Sequence, residues 1–247
     1  RIIGDIPIYV PLDSADVWSA PEQFLLNEEY EPIEVAGCPP DGFSADGQLW
    51  GNPLYRWDAM KEDGYRWWID RFRASAALYD IIRIDHFRGF EGYYAIPGGA
   101  ATAREGVWRQ GPGIELFHAV RAALGELPII AEDLGFLTEG VHRLREDCGF
   151  PGMKVLQFAF DSREDSDYLP HNYPRHCVVY TGTHDNDTIL GWLSTAAPQD
   201  ARFAWEYLRL TEAEGANWGM MCGALQSPGD TVILTMQDLL GLGSEAR

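Results

Sequence analysis

Six stretches of the chain are short apolar runs of strand length. They are Ile2 to Val10, Ile81-Ile82-Arg83-Ile84, Ile129-Ile130-Ala131, Met153 to Phe160, Val178-Val179-Tyr180 and Thr231 to Met236. A continuous apolar run of this kind is what a parallel strand covered on both faces requires. Between these runs the period changes to that of a helix. Tyr65, Trp68, Ile69, Phe72, Ala76 and Tyr79 fall at i, i+3, i+4, i+7 spacing, and so do Ile114, Phe117, Val120 and Leu124, which Gly125 terminates. Thr138 is placed to cap a helix with Val141, Leu144 and Cys148 on one face and Gly149 at its end. A further helix is predicted around Ala201, Ala204, Trp205 and Leu208, and a shorter one near Trp218.

Two stretches lie between these elements, and the first shows neither period. Pro11 to Trp57 is rich in turn formers yet carries Trp18, Phe24, Tyr30, Phe43, Trp50 and Tyr55, which argues for an ordered excursion beside a site and against disorder. Phe87 to Gly113 is glycine-rich and aromatic.

Strands alternating with helices predict an α/β fold of parallel strands with helical crossovers. A closed barrel of this class has eight strands, and about six are visible here. No glycine-rich phosphate fingerprint follows the first strand, which counts against an open nucleotide-binding sheet. The chain enters a strand at once and has no initial methionine. The expectation is a (β/α)8 TIM barrel that is incomplete in these residues, its opening βα units lying outside them. Residues 1–247 then form one catalytic domain, with an aromatic substrate loop at about 11–57.

Charge narrows the partners. With 38 acidic against 19 basic residues the formal charge is −19, and binding a polyanion needs clustered Lys and Arg, so no nucleic-acid partner is expected. No apolar run approaches a bilayer span and no secretory leader opens the chain, so no membrane partner is expected and a cytoplasmic setting is. Cys38, Cys148, Cys177 and Cys222 are scattered, without a CxxC pair, and read as thiols. The aromatic content fits either a core or a sugar-stacking surface.

The densest cluster of ionisable residues is Asp80 to Gly89, DIIRIDHFRG. Arg83 and Asp85 are two residues apart on a strand and so point to one face, where the guanidinium holds the carboxylate charged. The strand of Ile129 runs into Glu132-Asp133 and that of Val178 into His184-Asp185. Acidic strand ends are where barrel enzymes keep their chemistry. Three carboxylates suit glycosidic cleavage with retention: Asp85 as nucleophile, Glu132 as acid and base, and Asp185 stabilising the oxocarbenium-like charge. No metal or cofactor is needed for this. Two alternatives stay open on the residues alone. Arg83 and Asp85 could form a buried ion pair without chemistry, and His86, His184, Glu132 and Asp185 could be ligands of a metal-dependent hydrolase, although neither HxH nor HExxH occurs. Asp133 fits a supporting or helix-capping role as well as a catalytic one.

The motifs GDIPIYV, DSADVW, PPDGFS, GQLWGNPLY, RIDHFRGF, AEDLG, PGMKVLQFAF, LPHNYP and YTGTHDNDT, in this order, closely resemble the amylomaltase, or 4-α-glucanotransferase, family over nearly the whole chain. The resemblance implies a barrel of the α-amylase clan that transfers α-1,4-glucan segments between maltooligosaccharides, with Asp85, Glu132 and Asp185 catalytic. It also implies substrate contacts from Asp5, Gln48, Trp50, Arg83 and His184. Gly42 stands where some members carry a covering aromatic, which leaves that role to Phe43. Trp50 also fits a plain anchor on the barrel rim. An α-amylase-like hydrolase and a non-catalytic glucan-binding domain are the competing readings.

Overall fold

The computed structural model describes residues 1–40, 44–135, 137–163 and 166–247, so Gly42 and Phe43 lie outside the described residues. The chain divides into two compact units, Arg1–Phe150 and Pro151–Arg247.

In the first unit, strand β1 (Ile3–Ile6) is followed by helix α1 (Ala15–Ser19), strands β2 (Glu34–Cys38) and β3 (Gln48–Pro53), and helices α2 (Trp57–Glu62) and α3 (Arg66–Leu78). Strands β4 (Ile81–Ile84), β5 (Gly92–Pro97) and β6 (Val107–Gln110), helix α4 (Ile114–Leu124), strand β7 (Ile129–Ala131) and helix α5 (Glu139–Cys148) complete it. β1, β4 and β7 form a parallel sheet in that order, with Asp5 opposite Arg83 and Ile84 opposite Ala131. Gly4 is required on β1 because a Cβ there would fall inside the Tyr79 ring.

The helices form where local chemistry directs. Thr138 Oγ1 accepts the Val141 N–H to start α5, and Gly149, at φ 73°, ends it in the left-handed conformation glycine tolerates best. α3 buries Trp68 and Phe72. Trp68 meets Phe90 at 5.1 Å between ring centroids, Phe90 meets Phe117 at 5.2 Å, and Phe117 meets Phe87 at 5.5 Å. Much of the aromatic excess is therefore the core beneath the parallel sheet.

The two stretches read without strands require correction. β2 and β3 come from the excursion at 11–57 and β5 and β6 from the glycine-rich stretch, and they pair as an antiparallel sheet in the order β3-β2-β5-β6. The alternation of strand and helix therefore does not run throughout. All four residues of β6 are exposed, as are four of the six in β3, so neither shows the in-out alternation that reveals a half-buried strand.

In the second unit, strands β8 (Gly152–Val155) and β9 (Cys177–Tyr180) precede helices α6 (Ile189–Thr195), α7 (Pro198–Leu208) and α8 (Ala216–Leu225), strand β10 (Thr231–Ile233) and helix α9 (Met236–Leu239). Its parallel sheet has the order β10-β9-β8. Three predicted strands are shorter than read: β1 ends at Ile6 although its apolar run continues to Val10, after Val155 the chain enters a 3-10 turn at Leu156–Ala159, and Met236 opens α9. The core gathers Leu156, Phe160, Val179, Ile189, Met220 and Met221. The six parallel strands of the two sheets correspond to the six apolar runs. The four cysteines are thiols, and among the described residues no helix is long and apolar enough to cross a membrane.

Candidate active site

The first unit carries a charged cluster at the C-terminal ends of its parallel strands. Asp85 and Glu132 each stand one step beyond the paired residues Ile84 and Ala131, and the ladder continues through them: the Asp85 N–H donates to the Ile6 carbonyl at 3.0 Å and the Glu132 N–H to the Ile84 carbonyl at 2.9 Å. Equivalent positions on neighbouring strands lie about 4.8 Å apart. Register alone therefore sets these two residues side by side.

Arg83 lies on the same face, its side chain buried, between two carboxylates. Its Nη1 is 2.7 Å from Asp5 and 3.0 Å from Asp85. Burial by itself lowers the Arg83 pKa, but Asp5, followed by Asp85 and Glu132, outweighs it, and the net shift is upward. The charge is kept in place because its neighbours compensate the lost water, as a buried ion must be compensated.

Glu132 is held differently. Its Oε2 accepts the His86 N–H at 2.7 Å and its Oε1 the Leu134 N–H at 2.8 Å, which fixes the carboxyl plane. Desolvation dominates and raises its pKa from 4.5 to about 7; the two N–H donors and Arg83 pull the other way, and the neighbouring Asp85 charge pushes further up. Two carboxyl groups on adjacent strands thus have different surroundings: Asp85 is ion-paired to Arg83, whereas burial favours the protonated form of Glu132.

Gln48 and Trp50 sit on β3, and Trp50 Nε1 donates to Gln48 Oε1 at 3.0 Å. The Trp50 ring meets His86 edge-to-face at 4.8 Å and lies 6.2 Å from Tyr9, while 37% of the residue remains exposed. It is anchored on one side and open on the other. Asp133 is buried and ion-paired to Arg145 of α5 at 3.4 Å, which is a supporting position. The structure thus gathers Asp5, Arg83, Asp85 and Glu132 on one sheet and sets Trp50 against His86, with Gln48 bonded to Trp50. Among the described residues no group of three or more His, Cys, Asp or Glu side chains is placed to hold a metal ion.

In the second unit, taken by itself, His184 and Asp185 lie in the turn after β9. Their side chains are exposed, and His184 Nε2 is 3.5 Å from Asp185 Oδ2. The Asp185 N–H donates to Thr183 Oγ1 at 3.3 Å, and Asn186 Oδ1 accepts from both the Thr183 N–H and its hydroxyl at 2.9 Å.

The family profile described as 4-alpha-glucanotransferase matches residues 1–247, the whole chain. The chain belongs to the 4-alpha-glucanotransferase family. A relative of that name from Clostridium butyricum is 53% identical over all of this chain and 51% of its own length. The chloroplastic/amyloplastic 4-alpha-glucanotransferase of Arabidopsis thaliana is 50% identical over all of this chain and 43% of its own. The structure of the amylomaltase from Streptococcus agalactiae, solved in complex with acarbose, superposes with a TM-score of 0.97 at 44% identity, covering all of this chain and 50% of that one. The mixed α/β fold is therefore that of an amylomaltase, and the chain spans about half the length of the relatives it matches.

Within this family member, one contributor to the site had no sequence signal. His86, read above only as a metal-ligand alternative, adopts φ 51°, which is uncommon for a residue other than glycine, and that conformation aims its N–H at Glu132. Burial, and after it the Arg88 charge, pushes its pKa down to about 4, so the ring that meets Trp50 is neutral near pH 7.

Proposed function

We propose that this chain carries the catalytic carboxylates of a 4-α-glucanotransferase that moves α-1,4-glucan segments between maltooligosaccharides by double displacement, without metal or cofactor, within a (β/α)8 barrel in the cytoplasm. The observation that carries the reading is the contrast between Asp85, ion-paired to Arg83, and Glu132, whose pKa is about 7, on neighbouring strand ends. Asp85 attacks the anomeric carbon while Glu132 gives its proton to the glycosidic oxygen, and the leaving glucan departs with a new hydroxyl. Glu132, now a carboxylate, then takes the proton from the acceptor sugar's hydroxyl, which displaces Asp85 and restores the original configuration.

Asp185 is the third carboxylate of the scheme and stabilises the charge at the anomeric carbon. Asp5 and Arg83 face the same side of the sheet as Asp85 and are read as both substrate contacts and electrostatic support. Gln48 and Trp50 offer a hydrogen-bonding amide and an aromatic face to a sugar, His184 a further polar contact, and Phe43 the covering aromatic. The acarbose bound by the Streptococcus agalactiae amylomaltase supports a site of this ligand class.

Maltotriose tests the reaction in the full-length protein. A ladder of longer and shorter glucans is expected; simple shortening would mean hydrolysis, and an unchanged substrate would mean binding alone.

The pH dependence follows from Glu132. Its protonated form is the active one in the first step, so kcat/KM is expected to fall with a unit slope as pH rises above about 7. The sign for stability agrees. A carboxyl whose folded pKa lies above its ordinary 4.5 favours the fold most below that value, and this contribution is lost as pH rises through about 7. A kcat/KM profile flat to pH 9 would remove Glu132 from the role of acid.

A further inference from the structure

In the second unit, a buried carboxylate that the scheme above does not use joins the two ends of the loop bearing His184 and Asp185. Asp238, on α9, is 1% exposed. Its Oδ2 accepts the Thr181 hydroxyl at 2.8 Å and its Oδ1 the Ile189 N–H at 2.7 Å. Thr181 is the first residue after β9, and Ile189 is the first residue of α6. The loop carrying His184 and Asp185 runs between these two points. A single side chain therefore closes it at its base.

Asp238 is itself fixed. Its N–H donates to Thr235 Oγ1 at 3.2 Å, and its carbonyl accepts from Asn217 Nδ2 at 2.9 Å. The same C-terminal stretch reaches the loop twice more, through the Ser244 hydroxyl on Asp187 Oδ2 at 2.6 Å and the Arg247 guanidinium on the Asp185 carbonyl at 2.9 Å. The Asp185 side chain, by contrast, is largely exposed. Its position is therefore set mainly by where its backbone is held.

A buried carboxylate is a costly choice for stability alone, since an uncharged group of the same shape loses less on leaving water. What a carboxylate supplies is two acceptor oxygens, one for each end of the loop; an amide has a single acceptor. We propose that Asp238 is a positioning residue that sets the Asp185 loop for catalysis. The inference rests on the reading of Asp185 as the stabilising carboxylate.

The test uses the full-length protein, with turnover of α-maltosyl fluoride and thermal unfolding measured for Asp238→Asn, Thr181→Val, Asp185→Asn and the double variants that combine Asp185→Asn with each of the first two. Asp238→Asn is expected to lower kcat about 100-fold, the cost of a misplacement of about 1 Å, while melting cooperatively. Its effect should disappear in the Asp185→Asn background, because residues that act as one unit are not additive. Thr181→Val should show a smaller loss that disappears in the same way, and it decides the question if Asp238→Asn does not melt cooperatively. Parental kcat in Asp238→Asn, or an equal fold-loss with and without Asp185, would overturn the proposal and leave Asp238 a structural group. Parental turnover in Asp185→Asn would overturn the reading of Asp185 itself, a result distinct from failure of Asp238 alone.

Discussion

Replacing Asp85 with asparagine is expected to lower kcat/KM for maltotriose disproportionation by a factor on the order of 10⁶, the loss that follows removal of a nucleophile that works together with its acid-base partner. The fold should survive. Arg83 keeps its second carboxylate, Asp5, at 2.7 Å, and the asparagine oxygen can still accept from the guanidinium, so no buried charge is stranded. Circular dichroism and the melting curve should therefore match the parent while turnover vanishes. Activity within about tenfold of the parent, far short of that expected loss, would make Arg83–Asp85 the purely structural ion pair and would require another nucleophile.

Replacing Glu132 with glutamine should divide substrates by their leaving group. With maltotriose the glycosidic oxygen needs a proton, and a loss of about 10²- to 10⁴-fold is expected, the usual contribution of general acid-base catalysis. With α-maltosyl fluoride the leaving group departs without one, so the first step should be nearly unaffected and the second, which needs the base, should become limiting. The fall in kcat/KM above pH 7 should disappear as well, since it belongs to Glu132. Equal losses on both donors would mean that Glu132 acts on binding and not on proton transfer.

Several parts of this arrangement were legible in the residues because local chemistry determines them. Ile81–Ile84 and Ile129–Ala131 are buried almost throughout, and that need is written as continuous apolar runs whose ionisable flanks mark where the strands end. The period of a strand placed Arg83 and Asp85 on one face, and the capping roles of Thr138 and Gly149 follow from their own side chains and backbone preferences. The antiparallel sheet was not legible, because β3 and β6 are largely exposed and Gly37 interrupts β2; that glycine is needed where a Cβ would collide with the Gln48 carbonyl, a contact only the paired strands reveal. The acid role of Glu132 was read from the residues, but the cause of its raised pKa was equally hidden. That pKa is raised by burial against elements distant in sequence, to which the Asp85 charge adds, while the backbone donors, one of them aimed by the positive φ of His86, pull it down. Asp238 stands 57 positions from Thr181 in a four-residue helix, and nothing in its own neighbourhood of the sequence points to the loop it closes.

The most direct test of the central claim is to locate the covalent intermediate. In the full-length Glu132→Gln protein, rapid acid quenching after addition of α-maltosyl fluoride, followed by peptide mapping in a mass spectrometer, should find one maltosyl group on the peptide that contains Asp85 and none on those containing Asp5 or Asp185. A maltosyl group on a different carboxylate, or rapid formation of the inverted sugar product with no labelled peptide at any quench time, would contradict double displacement through Asp85.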